Sequence, residues 1–529
     1  MMIKLPLIST IALAAVLSTA VAQAAVTPGY NVKVPEEIMT PDTVETRIGT
    51  MKFYDGVPTD ETVTTIYDHL DFLRGVDVFL NFIPACSIEG MRRGNKSLGV
   101  EDYNEVLLMD KLMDSTPLFL TGNTDTVYAS SFFDLGKTGP IVLEIPEGAG
   151  PGTINDAFFR FVVDMGAPGP DRKKGGTYII LPPEYTGDIK VTPNTFRDNS
   201  TTKAVINGVE KDVWVAQSPS YNNWVILRGF LVDGKPDTAA RMWREGLKIY
   251  PLKDAANPKP MKFVSGSMKY FNTIHSNKYP YYEELNTVIQ HEPLGFIDPE
   301  LRGQAAAIGI IKGKEFKPDA RMEKILKESI AVGNATARTM MFYPRDQRAY
   351  LYPNSYWKTF FIGGDYRWLD LTGEAGRNID ARTHFFYQAT VNTPAMALKL
   401  PGVGSNYAGI VKDKNGDILY GDKSYKLTLP KDIPAKDFWS LVIYDPQTRS
   451  ELQTGDRIFP KINNKIDDLT YNEDGSIDIY FGPDAPKGYE NNWIMTMPEK
   501  SWFLVLRLYG PLESFYDKSW KPGELEPIK

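Results

Sequence analysis

The run Pro140-Ile-Val-Leu-Glu-Ile-Pro146 decides the fold class, because it is a short apolar stretch bounded on both sides by proline. Thr177-Tyr-Ile-Ile-Leu-Pro182 and Trp224-Val-Ile-Leu-Arg228 have the same apolar, β-branched character. Short runs of this kind that end at glycine or proline are typical of β-strands. We therefore predict that residues 115–234 form an antiparallel β-sandwich.

The C-terminal part of the chain, residues 376–529, repeats this strand pattern. It contains the pairs Asn415-Gly416 and Asp474-Gly475, which are favoured in tight hairpin turns. Ser476-Ile-Asp-Ile-Tyr-Phe481 alternates between polar and apolar residues, as a strand with one buried face does. Ser501-Trp-Phe-Leu-Val-Leu-Arg-Leu-Tyr509 resembles a central strand, although Arg507 within it needs a partner, most simply a carboxylate across the sheet. A second sandwich is predicted here.

Between these two regions the apolar residues recur every three or four positions, which predicts helices. The predicted helices lie around Ala240–Leu247, near Tyr282–Ile289 and Glu300–Ile311, and after Asp319. Residues 235–375 are therefore predicted to form a helical domain. A further amphipathic helix is predicted from Asp60 to Met91, within an N-terminal segment of residues 25–114, and Pro84 is expected to interrupt it.

Length and composition restrict the class of protein. A chain of 529 residues is too long for one core and predicts two to four domains. Hydrophobic residues at 42% and charged residues at 24% are typical of a folded globular protein. The net charge of −7 and the absence of a basic stripe argue against a nucleic-acid partner.

The first 24 residues are predicted to be a signal peptide. Lys4 precedes a short apolar run that ends in the small-x-small site Ala22-Gln23-Ala24. The run is interrupted by Ser and Thr and is too short to span a membrane. We therefore predict a periplasmic or secreted protein, cleaved near Ala24, with no membrane span. Cys86 is the only cysteine, so no internal disulfide can form, and its apolar surroundings predict a buried, inert thiol.

Familiar catalytic and metal-binding motifs are absent from the sequence. There is no Gly-x-Ser-x-Gly elbow, no His-Glu-x-x-His, no Cys-x-x-Cys and no glycine-rich nucleotide loop. His291-Glu292-Pro293 suggests a metal ligand, but a lone histidine beside such a loop is more typical of a surface or capping residue. The prediction is therefore no metal and no cofactor.

The densest polar cluster runs from Thr121 to Ser131, just before an apolar strand. One interpretation is structural: Asn and Asp side chains bond their own backbone and fix the entry of the strand. The other interpretation is functional: Asp125 and Tyr128 project into a cleft as an acid/base or binding pair. The residues alone leave both open.

Several ordered blocks carry a resemblance to known families. Asn123-Thr-Asp-Thr-Val-Tyr128, Phe161-Val-Val-Asp164 and Leu227-Arg-Gly-Phe-Leu-Val-Asp233 resemble domain of unknown function 1254. Asp437-Phe-Trp-Ser-Leu-Val-Ile-Tyr-Asp445 and Leu506-Arg-Leu-Tyr-Gly-Pro511 resemble its usual partner, domain of unknown function 1214. The resemblance implies a mainly β protein with a helical middle domain, between an N-terminal immunoglobulin-like sandwich and a C-terminal jelly-roll-like sandwich. It implies no catalytic residue.

Two functional hypotheses follow. The first is an exported envelope protein of undetermined activity that binds a small molecule or glycan in an inter-domain cleft, because ligand sites concentrate in such clefts. Its predicted ligand-binding residues are Asn123, Tyr221 and Trp224. The alternative is an exported hydrolase with Asp125, Tyr128, Asp164 and Arg228 as catalytic residues at the N-terminal sandwich. Association into a homo-oligomer is plausible in both hypotheses.

Overall fold

The computed structural model describes residues 34–193, 200–370 and 376–528. The chain divides into two compact units, residues 1–71 and 72–529. The predicted signal peptide, residues 1–24, lies outside the described residues. The finer domain boundaries after residues 114, 234 and 375 stay predictions.

The first unit contains a small antiparallel sheet of three strands and the start of a long helix. The strands are β1 (Thr43–Thr46), β2 (Gly49–Tyr54) and β3 (Val57–Pro58). The helix is α1 (Asp60–Ser97). The Thr62 hydroxyl near its start accepts from Lys52 N at 2.9 Å and donates to Lys52 O at 3.1 Å, which fastens the helix to β2.

The predicted interruption of this helix at Pro84 is wrong, because α1 runs through the proline. Proline has no N–H, so the carbonyl of Leu80, four residues earlier, loses its helical partner. In the structure the Thr383 hydroxyl lies 3.5 Å from Leu80 O and donates to it. A side chain from a distant helix thus replaces the missing donor.

Eleven strands and two helices follow in chain order within the second unit. The strands are β4 (Glu105–Leu108), β5 (Thr126–Asp134), β6 (Ile141–Ile145), β7 (Pro151–Asp156), β8 (Phe161–Gly166), β9 (Gly176–Leu181), β10 (Thr202–Ile206), β11 (Val209–Gln217), β12 (Asn222–Phe230), β13 (Lys248–Pro251) and β14 (Lys262–Ser265). The helices are α2 (Leu135–Thr138) and α3 (Asp237–Gly246).

These strands form two sheets that share one hydrophobic core. One sheet has the order β14-β4-β5-β12-β7-β8, and the other has the order β10-β11-β9-β6-β13. The prediction of an antiparallel arrangement for residues 115–234 is wrong, because β11 pairs parallel with β9. Outside those residues, β14 also pairs parallel with β4. Both pairs join strands that are far apart in the chain, which leaves room for the long crossover that parallel pairing needs.

Six further helices follow in the chain, and the first three lie where the sequence predicts helices. They are α4 (Pro280–His291), α5 (Pro299–Ala307), α6 (Ala320–Phe342), α7 (Ile379–Gln388), α8 (Pro394–Ala397) and α9 (Glu513–Tyr516). Asp298 and Asp319 cap α5 and α6 by accepting from Leu301 N and Met322 N, as capping aspartates do. Among the described residues, no helix combines the length and the apolar character that crossing a membrane requires.

The chain from residue 358 onward contributes two further sheets. Its strands are β15 (Lys358–Thr359), β16 (Ser405–Ile410), β17 (Ser424–Leu429), β18 (Ala435–Tyr444), β19 (Lys461–Asn463), β20 (Ile477–Gly482), β21 (Trp493–Met495), β22 (Phe503–Pro511) and β23 (Glu526–Ile528). The sheet orders are β15-β16-β22-β18-β19 and β21-β20-β17-β23, and β20 pairs parallel with β21.

Alternation of side chains along the strands explains why two of the sheets each face two hydrophobic cores. In β12, Val225 and Leu227 enter the core shared by the first two sheets, whereas Trp224 and Ile226 enter a central core on the opposite face. In β22, Leu504 and Leu506 enter the C-terminal core, whereas Phe503 and Val505 enter the same central core. The central core therefore lies between one N-terminal and one C-terminal sheet, and α1, α4, α6 and α7 contribute to it.

The fold agrees with the coarse prediction. Among the described residues the protein is rich in sheet, it has nine helices, and several of its sheets are mixed. Five aromatic side chains of the C-terminal region are all buried: Trp439, Tyr444, Trp493, Trp502 and Tyr509. The immunoglobulin-like and jelly-roll-like layouts stay predictions.

Candidate functional site

Asp125 immediately precedes β5 and is buried, with 1% of its surface exposed. One carboxylate oxygen accepts from the Ser440 hydroxyl at 2.5 Å, and the other accepts from Asn463 Nδ2 at 2.8 Å. Asn123 Oδ1 accepts from the Asp125 backbone N–H at 2.8 Å. The polar cluster thus does what the structural interpretation predicts, and it also joins β5 to the C-terminal sheet. A catalytic role for Asp125 stays a prediction.

Tyr128 and Arg228 face each other across β5 and β12, and both side chains are buried. The guanidinium carbon lies 5.5 Å from the centre of the tyrosine ring, a cation–π contact. Asp164 in β8 is also buried, and its Oδ2 accepts from the Thr393 hydroxyl at 2.8 Å. Burial raises the pKa of Asp164 to about 7. Tyr128 and Arg228 line one small cavity, and Arg228 and Asp164 line another.

The three predicted ligand-binding residues each contact a different partner. Asn123 Nδ2 donates to the Tyr509 hydroxyl at 2.6 Å, and Trp224 Nε1 donates to the Ser130 hydroxyl at 2.8 Å. Both side chains are buried in these contacts. Tyr221 is more exposed and packs edge-on against His291, with 6.2 Å between ring centres.

The prediction that Arg507 pairs with a carboxylate across the sheet is wrong. No Asp or Glu oxygen among the described residues lies within ion-pair distance of its guanidinium group. Instead, Nη2 donates to the carbonyls of Thr121 and Gly122 at 2.6 and 2.9 Å, and to the Tyr444 hydroxyl at 2.7 Å. Backbone carbonyls of the polar cluster therefore take the place of a carboxylate.

A cleft of about 610 Å³ lies between β5, α1 and α4. Five basic and six acidic side chains line it, together with Tyr103, Phe132 and Phe133. The basic residues are Arg92, Lys96, Lys137, Lys253 and Lys259, and the acidic residues are Glu89, Glu101, Asp102, Asp134, Asp254 and Glu292. The charged groups of the lining are therefore nearly balanced in sign, and they lie among apolar side chains.

Most of these charges are paired in the cleft wall. Arg92 donates to both carboxylate oxygens of Glu89 at 2.7 Å. Lys96 Nζ lies 3.0 Å from Glu101, and Lys259 Nζ lies 2.9 Å from Asp102. Paired charges of this kind present donors and acceptors side by side, as the hydroxyl groups of a polar ligand require.

An acid–histidine cluster lies at the α4 end of the cleft. His291 Nε2 is 3.2 Å from Asp134 Oδ2, which is close enough for an ion pair, although the two groups are not aligned as a hydrogen bond. The Asp134 carboxylate raises the pKa of His291. Glu292 accepts from the backbone N–H groups of Tyr221 and Asn222 at 2.6 and 3.1 Å. Burial raises the pKa of Glu292 to about 7 against the opposing effect of these donors.

Sequence reasoning missed this cluster. Asp134 ends a strand and His291 ends a helix, and nothing in the local pattern brings them together. The available signal was His291-Glu292-Pro293, which was interpreted as a capping or surface site. No group of three or more His, Cys, Asp or Glu residues within the described ranges is placed to hold a metal ion.

Cys86 is fully buried in α1, and its pKa is raised well above the ordinary thiol value, mainly by burial. Thiolate is the reactive form, so we expect no reaction of the folded protein with a thiol reagent such as dithionitrobenzoate. One equivalent should react after unfolding in denaturant. Rapid labelling of the native protein would show that the thiol is reachable and contradict the prediction of an inert residue.

Comparison with known proteins supports the order of the two regions. Residues 103–251 match the family described as "Protein of unknown function (DUF1254)", and residues 404–513 match "Protein of unknown function (DUF1214)". No curated protein matches the chain.

Two crystal structures are similar to the chain. The VPA0106 protein from Vibrio parahaemolyticus has a TM-score of 0.50 at 18% identity, covering 86% of this chain and 100% of that one. An uncharacterized protein from Burkholderia cenocepacia has a TM-score of 0.38 at 11% identity, covering 88% and 96% of the two chains. The first likeness concerns the fold alone. The chain therefore contains a region that matches DUF1254 followed by a region that matches DUF1214, which confirms the resemblance and the order expected from the sequence.

Proposed function

We propose that this chain is an exported protein that binds a neutral polar molecule, such as a glycan unit, in the 610 Å³ cleft. The cleft is the observation that carries the proposal, because its volume falls within the roughly 300–1,000 Å³ of ligand pockets. Export itself rests on the signal-peptide prediction.

The charge of the lining supports a neutral ligand over an ionic one. Arg92, Lys96 and Lys259 already have carboxylate partners, so an anion would have to displace those contacts. A polyhydroxylated ligand can instead bond to the paired groups without separating them. Tyr103 and Phe132 add apolar surface beside the paired charges of the wall, a mixture that suits the two faces of a sugar ring.

The proposal is tested by blocking the cleft. Thr287 is exposed on α4 and lines the cleft, so Thr287→Trp should fill part of it. We expect the wild-type protein to bind a member of a panel of neutral mono- and disaccharides in calorimetric titrations. Thr287→Trp should weaken that binding at least about tenfold, since displaced contacts worth roughly 1.4 kcal/mol have that effect.

The matched control is Glu283→Trp, which adds the same side chain to an exposed position of α4 outside the cleft. Its affinity should equal that of the wild type. Equal affinity in Thr287→Trp would mean that the ligand binds elsewhere. A panel in which no saccharide binds would reject the glycan class.

The alternative is an exported hydrolase, and one observation favours considering it. His291 and Glu292 lie on the cleft wall. Asp134 raises the pKa of His291, and burial raises the pKa of Glu292 to about 7, close to the pH at which general acids and bases work best. The hydrolase predicted from sequence would instead use Asp125, Tyr128, Asp164 and Arg228. Turnover of esters or glycosides that His291→Gln abolishes would support the cleft cluster, and turnover that only Asp125→Asn abolishes would support the other set.

A further inference from the structure

A second, much smaller cavity lies in the central core between the N-terminal and C-terminal sheets. Its volume is about 40 Å³, and Arg228, Arg507, Tyr128 and Tyr407 are its polar lining residues besides Thr121 and Thr390. The period of two along each strand explains why both arginines are there. Arg228 continues the face of Trp224 and Ile226, and Arg507 continues the face of Phe503 and Val505.

The two guanidinium groups differ in how well they are satisfied. Arg507 donates to two backbone carbonyls and to the Tyr444 hydroxyl. Arg228 is only 7% exposed, yet it has no carboxylate within 4 Å among the described residues. Its contacts are the ring of Tyr128 and the hydroxyl of Tyr407. A guanidinium group has five N–H donors, so most of those of Arg228 are available to the cavity.

A buried charge without a counter-charge is costly, by several kcal/mol in typical proteins. No Asp or Glu lines this cavity, so the side chains around it supply two positive charges and no negative one. The adjoining hollow of about 20 Å³ contains Asp164, but the Asp164 carboxylate lies beyond ion-pair distance of Arg228. The cavity therefore lacks a negative charge, which a bound anion would supply.

The volume limits what that anion can be. A water molecule needs roughly 10–15 Å³ of cavity on the same measure, so about three non-hydrogen atoms fit. A carboxylate group has three, and its two oxygens match the parallel N–H groups of arginine. The apolar remainder of the wall, which includes Phe119 and Val505, offers nothing to a larger polar molecule.

We propose that the cavity between Arg228 and Arg507 binds a small carboxylate anion of the size of formate, with Arg228 as its main ligand. This site is separate from the cleft and does not depend on the function proposed for the cleft. It places an anion at the junction of the DUF1254 and DUF1214 regions, because Arg228 belongs to the first and Arg507 to the second.

The test uses sodium formate as the probe, at constant ionic strength, with the full chain. Formate should raise the thermal midpoint of the wild-type protein and give a calorimetric binding signal, since a ligand of the folded state stabilises it. Arg228→Gln should lose both effects. Arg92→Gln, a matched change of a cleft arginine, should keep them.

A second variant keeps the test informative if Arg228→Gln fails to fold. Ala389 lines the cavity, and Ala389→Val should fill it without altering a charge, so formate binding should again be lost. Benzoate, which is too large, should not bind to the wild type. Absence of a formate effect in the wild type, or an unchanged effect in a folded Arg228 or Ala389 variant, would overturn the proposal. An equal effect of chloride would overturn its assignment to a carboxylate.

Discussion

Replacing Asp125 by alanine is expected to lower the free energy of unfolding by about 3–5 kcal/mol. The carboxylate accepts from Ser440 and Asn463 in a site that excludes water, so its removal leaves two buried donors without acceptors. It also breaks the contact between β5 and the C-terminal sheet. Chemical denaturation of the purified variant measures the loss.

Two controls separate this effect from the loss of any aspartate. Asp125→Asn retains the shape and one acceptor oxygen, so its loss should be smaller. Asp484→Ala changes an exposed aspartate and should stay within about 0.5 kcal/mol of the wild type. A loss below about 1 kcal/mol for Asp125→Ala would show that solvent replaces its partners, and the residue would then be accessible enough for the catalytic hypothesis.

Acidification should destabilise the protein through His275. Its ring is fully buried among the rings of Phe79, Tyr281 and Tyr387, and burial lowers its pKa to about 3. Between the ordinary histidine pKa near 6.5 and this value, the unfolded chain binds a proton that the folded chain does not. Stability from this group is therefore lost as the pH falls from 7 to 4, by about 3 kcal/mol.

The measurement is a comparison of wild type and His275→Phe by chemical denaturation at pH 7 and pH 4. The variant should lose about 3 kcal/mol less than the wild type over this interval. Asp164 and Glu292, with raised pKa values, act in the opposite sense, so the difference between the two proteins is the informative quantity. Phe79→Leu disturbs the same ring cluster but removes no titratable group. Its unfolding free energy should therefore lie below that of the wild type by the same amount at pH 7 and at pH 4. A His275→Phe profile parallel to that of the wild type would contradict the assignment.

Local sequence signals predicted the elements well. The Pro-bounded run at residues 140–146 contains β6, and Asp319, after which a helix is predicted, caps α6. Such signals act over a few residues, so they depend little on the rest of the chain. Pro84 shows the limit of this reasoning, because its effect is cancelled by Thr383 in a helix much later in the sequence.

Pairing between distant segments could not be predicted in the same way. The parallel contact of β11 with β9 depends on which strands meet, and strand composition is similar in both orientations. The candidate site could not be predicted for the same reason. Asp134 and His291 are close only because β5 and α4 pack on the same cleft, and Asp125 finds Ser440 and Asn463 in the other family region.

The central core makes the two family regions depend on each other. Tyr128 and Trp224 from one region and Tyr407, Tyr444 and Phe503 from the other bury each other's sheets. If the chain were divided between the two regions, each half would expose a large hydrophobic surface to water and would tend to aggregate. A gene that encodes either half by itself would thus yield a protein that aggregates. Selection therefore has a reason to keep the two segments in one polypeptide.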